Sequence, residues 1–182
     1  MKIRFACSNE RKTQEVCDIA ATLGLDVRAY PLEHEELHSD DIEQLADINL
    51  LAAFRLLGKP VFVEYSGLEI PSLNGFPGGL TQRLWDMLQA ERFAALIGQF
   101  EDPRATARSV IGYCDGRKRH FFEGRLDGRI VTEPAADRSS QWDSVFVPEG
   151  YDRTLADLGE QKNELSMRRR ALEAFASFLR AN

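Results

Sequence analysis

Residues 60–79 read PVFVEYSGLEIPSLNGFPGG, and this stretch determines the predicted fold. It begins with an apolar run, residues 61–63, whose β-branched and aromatic side chains are typical of a buried strand. The run leads into a predicted loop over residues 64–69, and the stretch ends in the turn signal Pro77-Gly78. Open α/β sheets bind ligands at the carboxyl ends of their strands, so Glu64 is a candidate functional residue.

The composition favours one ordinary globular domain. The chain has 182 residues, of which 43% are hydrophobic and 29% are charged, enough for one sizeable core. Its formal net charge of −6 argues against a general nucleic-acid-binding surface and against an anionic-membrane surface. A phosphate-binding site must therefore be a local cluster of lysine and arginine side chains.

The cysteines and the first residues predict a cytoplasmic protein. Cys7, Cys17 and Cys114 are odd in number and include no C-x-x-C pair, which indicates reduced thiols rather than a disulfide framework or a zinc site. Residues 1–10, MKIRFACSNE, lack the apolar core of a signal peptide, and no apolar run approaches the length of a membrane span.

Periodicity and capping signals predict alternating strands and helices. A strand over residues 2–7 leads directly into a helix that Ser8-Asn9 caps, and such a junction creates an anion site from unpaired backbone N–H groups. The later predicted elements are a strand over 25–32, a helix capped by Ser39-Asp40 and ended by Gly58, a helix over 81–99, a hairpin of strands 104–113 and 118–123, and a terminal helix.

Short motifs run through the chain in order. Asn9, Lys12 and Glu15 fit S/T-G-N-x-x-K-x-x-E. In residues 60–79, V-x-[ED]-D-[ST]-G-L followed by L-x-G-x-P-G is matched at every defined position from residue 64 on except Tyr65 and is carried by Glu64, Ser66, Gly67, Leu68, Leu73, Gly75, Pro77 and Gly78. The later motifs are residues 124–131 against F-x-G-x-x-x-G-x-I, residues 141–157 against F-G-[WY]-D-P-x-F and P-[DE]-G-Y-x-x-T-x-A-[ED], and residues 162–168 against K-N-x-[IV]-S-H-R. Together they resemble the inosine triphosphate pyrophosphatase family, the dITP/XTP pyrophosphatases, over nearly the whole chain.

The resemblance implies a fold, a reaction and a site. The implied fold is a single α/β domain over residues 1–182, with a long twisted mixed β-sheet, flanking helices and a central nucleotide-binding cleft. The implied activity is hydrolysis of a nucleoside triphosphate, including non-standard purines, to the monophosphate and pyrophosphate with Mg²⁺, in a homodimer. The implied residues are catalytic Lys12, Glu64 and Tyr65; nucleotide- and phosphate-binding Ser8, Asn9, Lys12, Ser66, Trp142, Asp143, Lys162, Ser166 and Arg168; and metal-binding Glu33 and Glu64.

Several positions depart from the family pattern. Tyr65 stands where the family has the aspartate implied to activate water. A tyrosine with a pKa near ~10 is a poor base at neutral pH, and loss of a general base costs roughly 10²–10⁴ in rate. The other departures are Asn49 for a phosphate-directed lysine, Ser140 for an aromatic that stacks on the base, Gln141 for glycine, Ser144 for proline and Met167 for the histidine implied to recognise the purine 6-oxo group. The phosphate and metal half is retained, and the base-binding half is changed.

Three interpretations follow. The first is an active pyrophosphatase in which metal-bound water, or Glu64 as the base, compensates for the missing aspartate. The second is a nucleotide-binding protein with the same fold and little turnover. The third is a family relic that is stable as a dimer without a specific ligand. For Lys12 and Glu15 taken alone, the alternative is a solvated pair on the helix surface.

Overall fold

The computed structural model describes residues 2–31 and 38–181. Its strands are β1 (Lys2–Ala6), β2 (Asp26–Tyr30), β3 (Val61–Glu69), β4 (Pro77–Gly78), β5 (Arg104–Cys114), β6 (Arg119–Ile130) and β7 (Phe146–Pro148). Its helices are α1 (Glu10–Thr22), α2 (Ile42–Leu57), α3 (Thr81–Ile97), α4 (Lys162–Leu165) and α5 (Met167–Ala181).

The strands form one mixed sheet, which confirms the α/β prediction. Their order is β2-β1-β3-β5-β6-β7, and the short β4 pairs with β3 off this path. β1 runs parallel to β2 and β3, whereas β3, β5, β6 and β7 pair antiparallel in succession. The sheet therefore has a parallel half, which carries the strand-to-helix junction, and an antiparallel half.

The sheet opens between β1 and β3. These strands pair only at Arg4 with Val61 and at Phe5 with Phe62. Beyond those pairs β1 leads into α1, while β3 continues to Glu69 and stays paired with β5. A cleft therefore forms between the start of α1 and the second half of β3. The predicted loop over residues 64–69 is wrong, because pairing with β5 keeps this segment extended.

The two faces of the sheet pack against different helices. Phe62 stacks on Phe5 with ring centroids 4.7 Å apart and contacts Phe175 of α5 at 5.1 Å. Val61 and Val63 pack instead in the cluster that contains residues of α2. Because successive strand residues point to opposite faces, the side chains of residues 64 and 66 face α1 and α5, and the side chain of residue 65 faces α2.

Capping explains most of the helix boundaries. Asn9 caps α1, as predicted, since its side chain accepts a hydrogen bond from the Lys12 N–H. The cap of α2 is Asp41 rather than Ser39-Asp40, and its side chain accepts from two N–H groups of the first turn. The helix predicted over 81–99 ends at residue 97 and is interrupted at Gln89, whose φ is 57°.

Two further expectations from the sequence bear on the described residues. The three cysteines are free thiols, and Cys114 is buried. Within residues 2–31 and 38–181, none of the helices combines the length and the hydropathy that a membrane crossing requires.

Candidate active site

The N-terminus of α1 forms one wall of a cavity of about 330 Å³. The Asn9 Oδ1 atom accepts a hydrogen bond of 2.9 Å from the Lys12 backbone N–H, which fixes the first turn. Ser8, Asn9 and Lys12 all line the cavity. The first N–H groups of a helix and its dipole favour bound anions, so this wall is suited to phosphate.

Glu64 of β3 lies opposite this helix start. Its side chain is fully buried, and its Oε1 atom accepts a hydrogen bond of 2.6 Å from Ser109 Oγ on the paired strand β5. The Lys12 ammonium lies 3.2 Å from Glu64 Oε2 and donates to the Glu64 carbonyl oxygen at 3.1 Å. Arg168 Nε approaches Glu64 Oε1 at 3.2 Å from α5. A buried carboxylate is thus compensated by two cations.

A second buried carboxylate, Glu15 of α1, extends this cluster. Arg168 Nη1 donates to Glu15 Oε1 at 2.5 Å, and Lys162 Nζ lies 3.1 Å from Glu15 Oε2. Lys162 also donates to Asp143 Oδ2 at 2.6 Å, and Arg168 Nη2 donates to Ser66 Oγ at 3.0 Å. The ion pairs connect three acidic with three basic side chains, so their formal charges cancel. The interpretation of Lys12 and Glu15 as a solvated surface pair is wrong.

The cluster controls the ionisation of its members. Burial raises the pKa of Glu64, but Arg168, Lys12 and a hydrogen bond outweigh burial and lower the pKa to about 2. Burial also raises the pKa of Glu15, yet Arg168 and Lys162 hold it below its ordinary value. For Arg168 burial lowers the pKa, and its two glutamate partners raise it above the ordinary value. These side chains are therefore all charged at neutral pH.

Glu64 carries a carboxylate oxygen that fits a metal ion. Glu64 Oε2 is buried and accepts no hydrogen bond from the described residues, although the Lys12 ammonium is near it. Those residues contain no group of three or more acidic, histidine or cysteine side chains that could hold a metal ion. Magnesium is usually bound by one or two carboxylates together with substrate phosphates and water, and Oε2 suits that arrangement. Glu33, the second predicted ligand, lies outside the described residues.

Most of the other predicted site residues also meet at the cavity. Tyr65 and Trp142 line it, and the Tyr65 ring centroid lies 5.3 Å from the Lys12 ammonium. Trp142 is only 6% exposed and meets Phe146 edge-on. Ser166 is buried and accepts a hydrogen bond of 3.2 Å from the Arg169 N–H in the first turn of α5. Ser166 thus holds the helix start that positions the following basic residues.

The positions that depart from the family pattern differ in their surroundings. Met167 is 2% exposed and packs in the apolar cluster beneath α3, so it is a core residue. Asn49 lines the cavity from α2 and donates to the Leu45 carbonyl oxygen at 2.7 Å. Gln141 lies in a 3₁₀ turn over residues 141–144 and accepts a hydrogen bond from Arg11.

Sequence reasoning missed two polar side chains of this region. Ser109 is fully buried in the apolar run of β5, and its only sequence signal is a hydroxyl at a position that the strand pattern assigns to the interior. Arg11 lines the cavity beside Lys12, and an exposed arginine in a first helical turn carries no distinctive signal. Both are identified only through partners distant in the sequence.

Comparison with known proteins places the chain in a family. The model of the Ham1 family matches residues 3–178. A dITP/XTP pyrophosphatase of Methanopyrus kandleri is 39% identical over 184 residues, covering 100% of this chain and 98% of the relative. A HAM1 protein from Coxiella burnetii has a TM-score of 0.83 at 23% identity, with 100% of both chains covered. The crystal structure of a nucleoside-triphosphatase / dITP/XTP pyrophosphatase from Mycobacterium abscessus has a TM-score of 0.74 at 29% identity, and the match covers 98% of this chain and 100% of that chain. The chain belongs to the Ham1 family.

Proposed function

We propose that this chain is a Mg²⁺-dependent nucleoside triphosphate pyrophosphatase that releases a nucleoside monophosphate and pyrophosphate. The observation that carries the proposal is the buried cluster of Lys12, Glu64 and Arg168 beside the start of α1, within one cavity. The relatives named dITP/XTP pyrophosphatases support the reaction class, since they match along the full chain.

The helix start and Lys12 bind the phosphates in this proposal. The Lys12 side chain is 22% exposed, so its ammonium reaches the cavity while it contacts Glu64. The first backbone N–H groups of α1 add donors of fixed direction. Arg168 is buried between the carboxylates of Glu15 and Glu64. Its role in this proposal is to keep Glu64 ionised and in place rather than to bind the substrate directly.

The proposed magnesium site consists of Glu64 Oε2 and the substrate phosphates, with Glu33 as the further predicted ligand. When bound, the ion neutralises phosphate charge and lowers the pKa of coordinated water. Glu64 itself is a weak base, because its pKa is about 2. The structure therefore favours Glu64 as a charged ligand over Glu64 as the group that removes a proton from water.

In the proposed reaction a water oxygen bonds to the α-phosphorus, and the bond from that phosphorus to the bridging oxygen breaks. Pyrophosphate leaves, and the proton of the water passes to solvent. Tyr65 offers no strong base at neutral pH, so we expect a rate roughly 10²–10⁴ below that of a site with a placed carboxylate. This expectation keeps a second candidate function open, namely a nucleotide-binding protein with little turnover. The homodimer and the cytoplasmic location remain predictions.

One experiment separates these functions. Pyrophosphate release is measured from ITP, XTP, GTP, ATP and their deoxy forms, with Mg²⁺ and with Mg²⁺ removed by chelation. The same nucleotides are tested for a shift in the melting temperature of the chain. Turnover that is lost on chelation supports the pyrophosphatase. Stabilisation without turnover supports the binding protein, and the absence of both responses refutes a nucleotide site.

A further inference from the structure

Ser109 carries a buried hydroxyl one layer below the cavity. It lies in β5, is fully buried, and has the apolar residues Ala107 and Ile111 as its neighbours on the same face of the strand. Ser109 is opposite Ser66 in the register of β3 with β5, so it is a diagonal neighbour of Glu64. Among the described residues, Glu64 lines the cavity and Ser109 does not. Ser109 therefore acts on a bound ligand only through another side chain.

The hydroxyl of Ser109 holds one oxygen of the Glu64 carboxylate. Ser109 Oγ donates a hydrogen bond of 2.6 Å to Glu64 Oε1. The direction of this bond is fixed, because an ionised carboxylate accepts hydrogen bonds and has no proton to donate. Arg168 Nε lies 3.2 Å from the same oxygen, and Arg168 Nη2 donates to Ser66 Oγ at 3.0 Å. Side chains from two elements, β5 and α5, thus hold Oε1.

The other oxygen of Glu64, Oε2, stays available. It accepts no hydrogen bond from the described residues and lies 3.2 Å from the Lys12 ammonium. Lys12 lines the cavity, so Oε2 lies on the side from which a ligand approaches. The terminal torsion of a glutamate has broad minima, so rotamer preference alone does not fix the plane of the carboxylate. The hydrogen bond from Ser109 therefore determines that one oxygen, rather than both, is presented to the cavity.

A carboxylate held in this way suits a small divalent cation. Mg²⁺ requires near-octahedral geometry at about 2.0–2.1 Å, whereas Ca²⁺ accepts both oxygens of one carboxylate at about 2.3–2.6 Å. We propose that Ser109 is a positioning residue, which holds Glu64 as a one-oxygen ligand and so favours Mg²⁺ over Ca²⁺. This inference rests on the proposed function, because it concerns how the proposed magnesium ligand is held.

The test measures ion affinity without nucleotide, from the loss of the free Mn²⁺ signal in electron paramagnetic resonance. Competition then gives the affinities for Mg²⁺ and Ca²⁺ in the parent, Ser109→Ala, Ser109→Thr and Ser109→Cys. Glu64→Gln defines the Mn²⁺ binding that does not depend on Glu64. Thr154→Val is the matched control, because Thr154 is buried, donates to Asp157 Oδ2 at 2.8 Å and lies outside the described cavity lining. Pyrophosphate release from ITP with Mg²⁺ is measured in the same proteins.

We expect Ser109→Ala to weaken Mg²⁺ binding about tenfold or more, because loss of a partner that orients a metal-binding side chain costs about 10- to 100-fold in affinity. Ca²⁺ binding should change less than about threefold, since the released carboxylate can turn both oxygens toward the larger ion. Ser109→Thr keeps the hydroxyl and should keep the ratio of the two affinities found in the parent. Ser109→Cys offers a weaker donor of similar shape and should give an intermediate ratio. Thr154→Val should leave both affinities unchanged.

The two proposals fail differently. If the parent binds Mn²⁺ through Glu64 and releases pyrophosphate, but Ser109→Ala changes Mg²⁺ and Ca²⁺ affinity equally or changes neither, the inference about Ser109 is wrong and the proposed function stands. If the parent binds Mn²⁺ through Glu64 without releasing pyrophosphate, the pyrophosphatase proposal is wrong, and the ratios of the two affinities still decide the role of Ser109. If the parent binds no more Mn²⁺ than Glu64→Gln, Glu64 is not an ion ligand and the inference about Ser109 is wrong, whatever the rate of pyrophosphate release.

Discussion

Replacement of Glu64 by glutamine tests the buried charge cluster directly. Glutamine keeps the shape of the side chain but removes the charge that compensates Lys12 and Arg168. The difference between the ordinary pKa of 4.5 and a folded-state value of about 2 corresponds to about 3 kcal/mol of stability at neutral pH. We therefore expect Glu64→Gln to lower the free energy of unfolding at pH 7 by about 3 kcal/mol.

The direction of the pKa shift determines how the free energy of unfolding changes with pH. A carboxylate whose pKa is lower in the folded state than in the unfolded state stabilises the fold above the unfolded pKa. That contribution is lost as the pH falls from about 4.5 toward the folded value near 2. Between pH 5 and pH 3 the difference between the parent and Glu64→Gln should accordingly shrink by about 2 kcal/mol.

Urea unfolding at a series of pH values measures both quantities. Glu173→Gln serves as the control, because Glu173 pairs with Arg169 on the surface at 2.7 Å and such pairs contribute about 0–1 kcal/mol. A deficit of Glu64→Gln that is the same at pH 3 and at pH 7 would show that folding does not lower the pKa of Glu64. A variant as stable as the parent at pH 7 would show that the cations do not depend on Glu64.

Three further predictions concern the cavity and the sheet. Lys12→Ala should weaken the binding of a nucleoside triphosphate by at least about tenfold more than the binding of its nucleoside, because a charge-assisted hydrogen bond to phosphate contributes about 1.5–3 kcal/mol. Calorimetry measures both affinities, and Lys118→Ala, in the exposed hairpin, is the control. Equal losses for the two ligands would mean that Lys12 is purely structural. Tyr65→Asp should raise the rate of pyrophosphate release at least about tenfold over the parent and over Tyr65→Asn, because a positioned general base increases the rate roughly 10²–10⁴-fold. Equal rates in the three proteins would mean that the missing base does not limit the reaction. Gly67→Ala should destabilise the chain by about 1–3 kcal/mol in urea unfolding, since its Cβ would lie 2.1 Å from the Gly78 carbonyl oxygen; an unchanged midpoint would contradict this packing.

The sequence predicted local features better than long-range partners. The Asn9 cap, the strand before it and the hairpin around residues 115–116 follow from short patterns, and all three occur in the structure. The extension of β3 past Glu64 was not predicted, because Gly67 and the polar residues there are typical of a loop. Pairing with β5 overrides that local preference, and such pairing depends on residues 37 to 47 positions away.

The partners of Glu15 also could not be predicted from local sequence patterns. On the helix surface a glutamate three residues after Lys12 indicates a local pair. In the fold, Glu15 is buried and bonded to Arg168, which is 153 positions distant, while Lys12 turns to Glu64. No spacing rule connects α1 to α5, so this exchange of partners is visible only in the structure. Met167 illustrates the converse, since a position implied to contact the base is packed in the core.

Two of the departures from the family pattern lie together on the wall of the cavity that faces α2. The wall built from α1, α5 and the inner face of β3 keeps the charged residues implied by the resemblance, namely Lys12, Glu64 and Arg168. The wall toward α2 carries Asn49 and Tyr65, where the resemblance implies a lysine and an aspartate. A cation and an anion are thus replaced by neutral side chains on the same side of the sheet. Because one charge of each sign is absent, the formal charge of this wall equals that of the implied pattern.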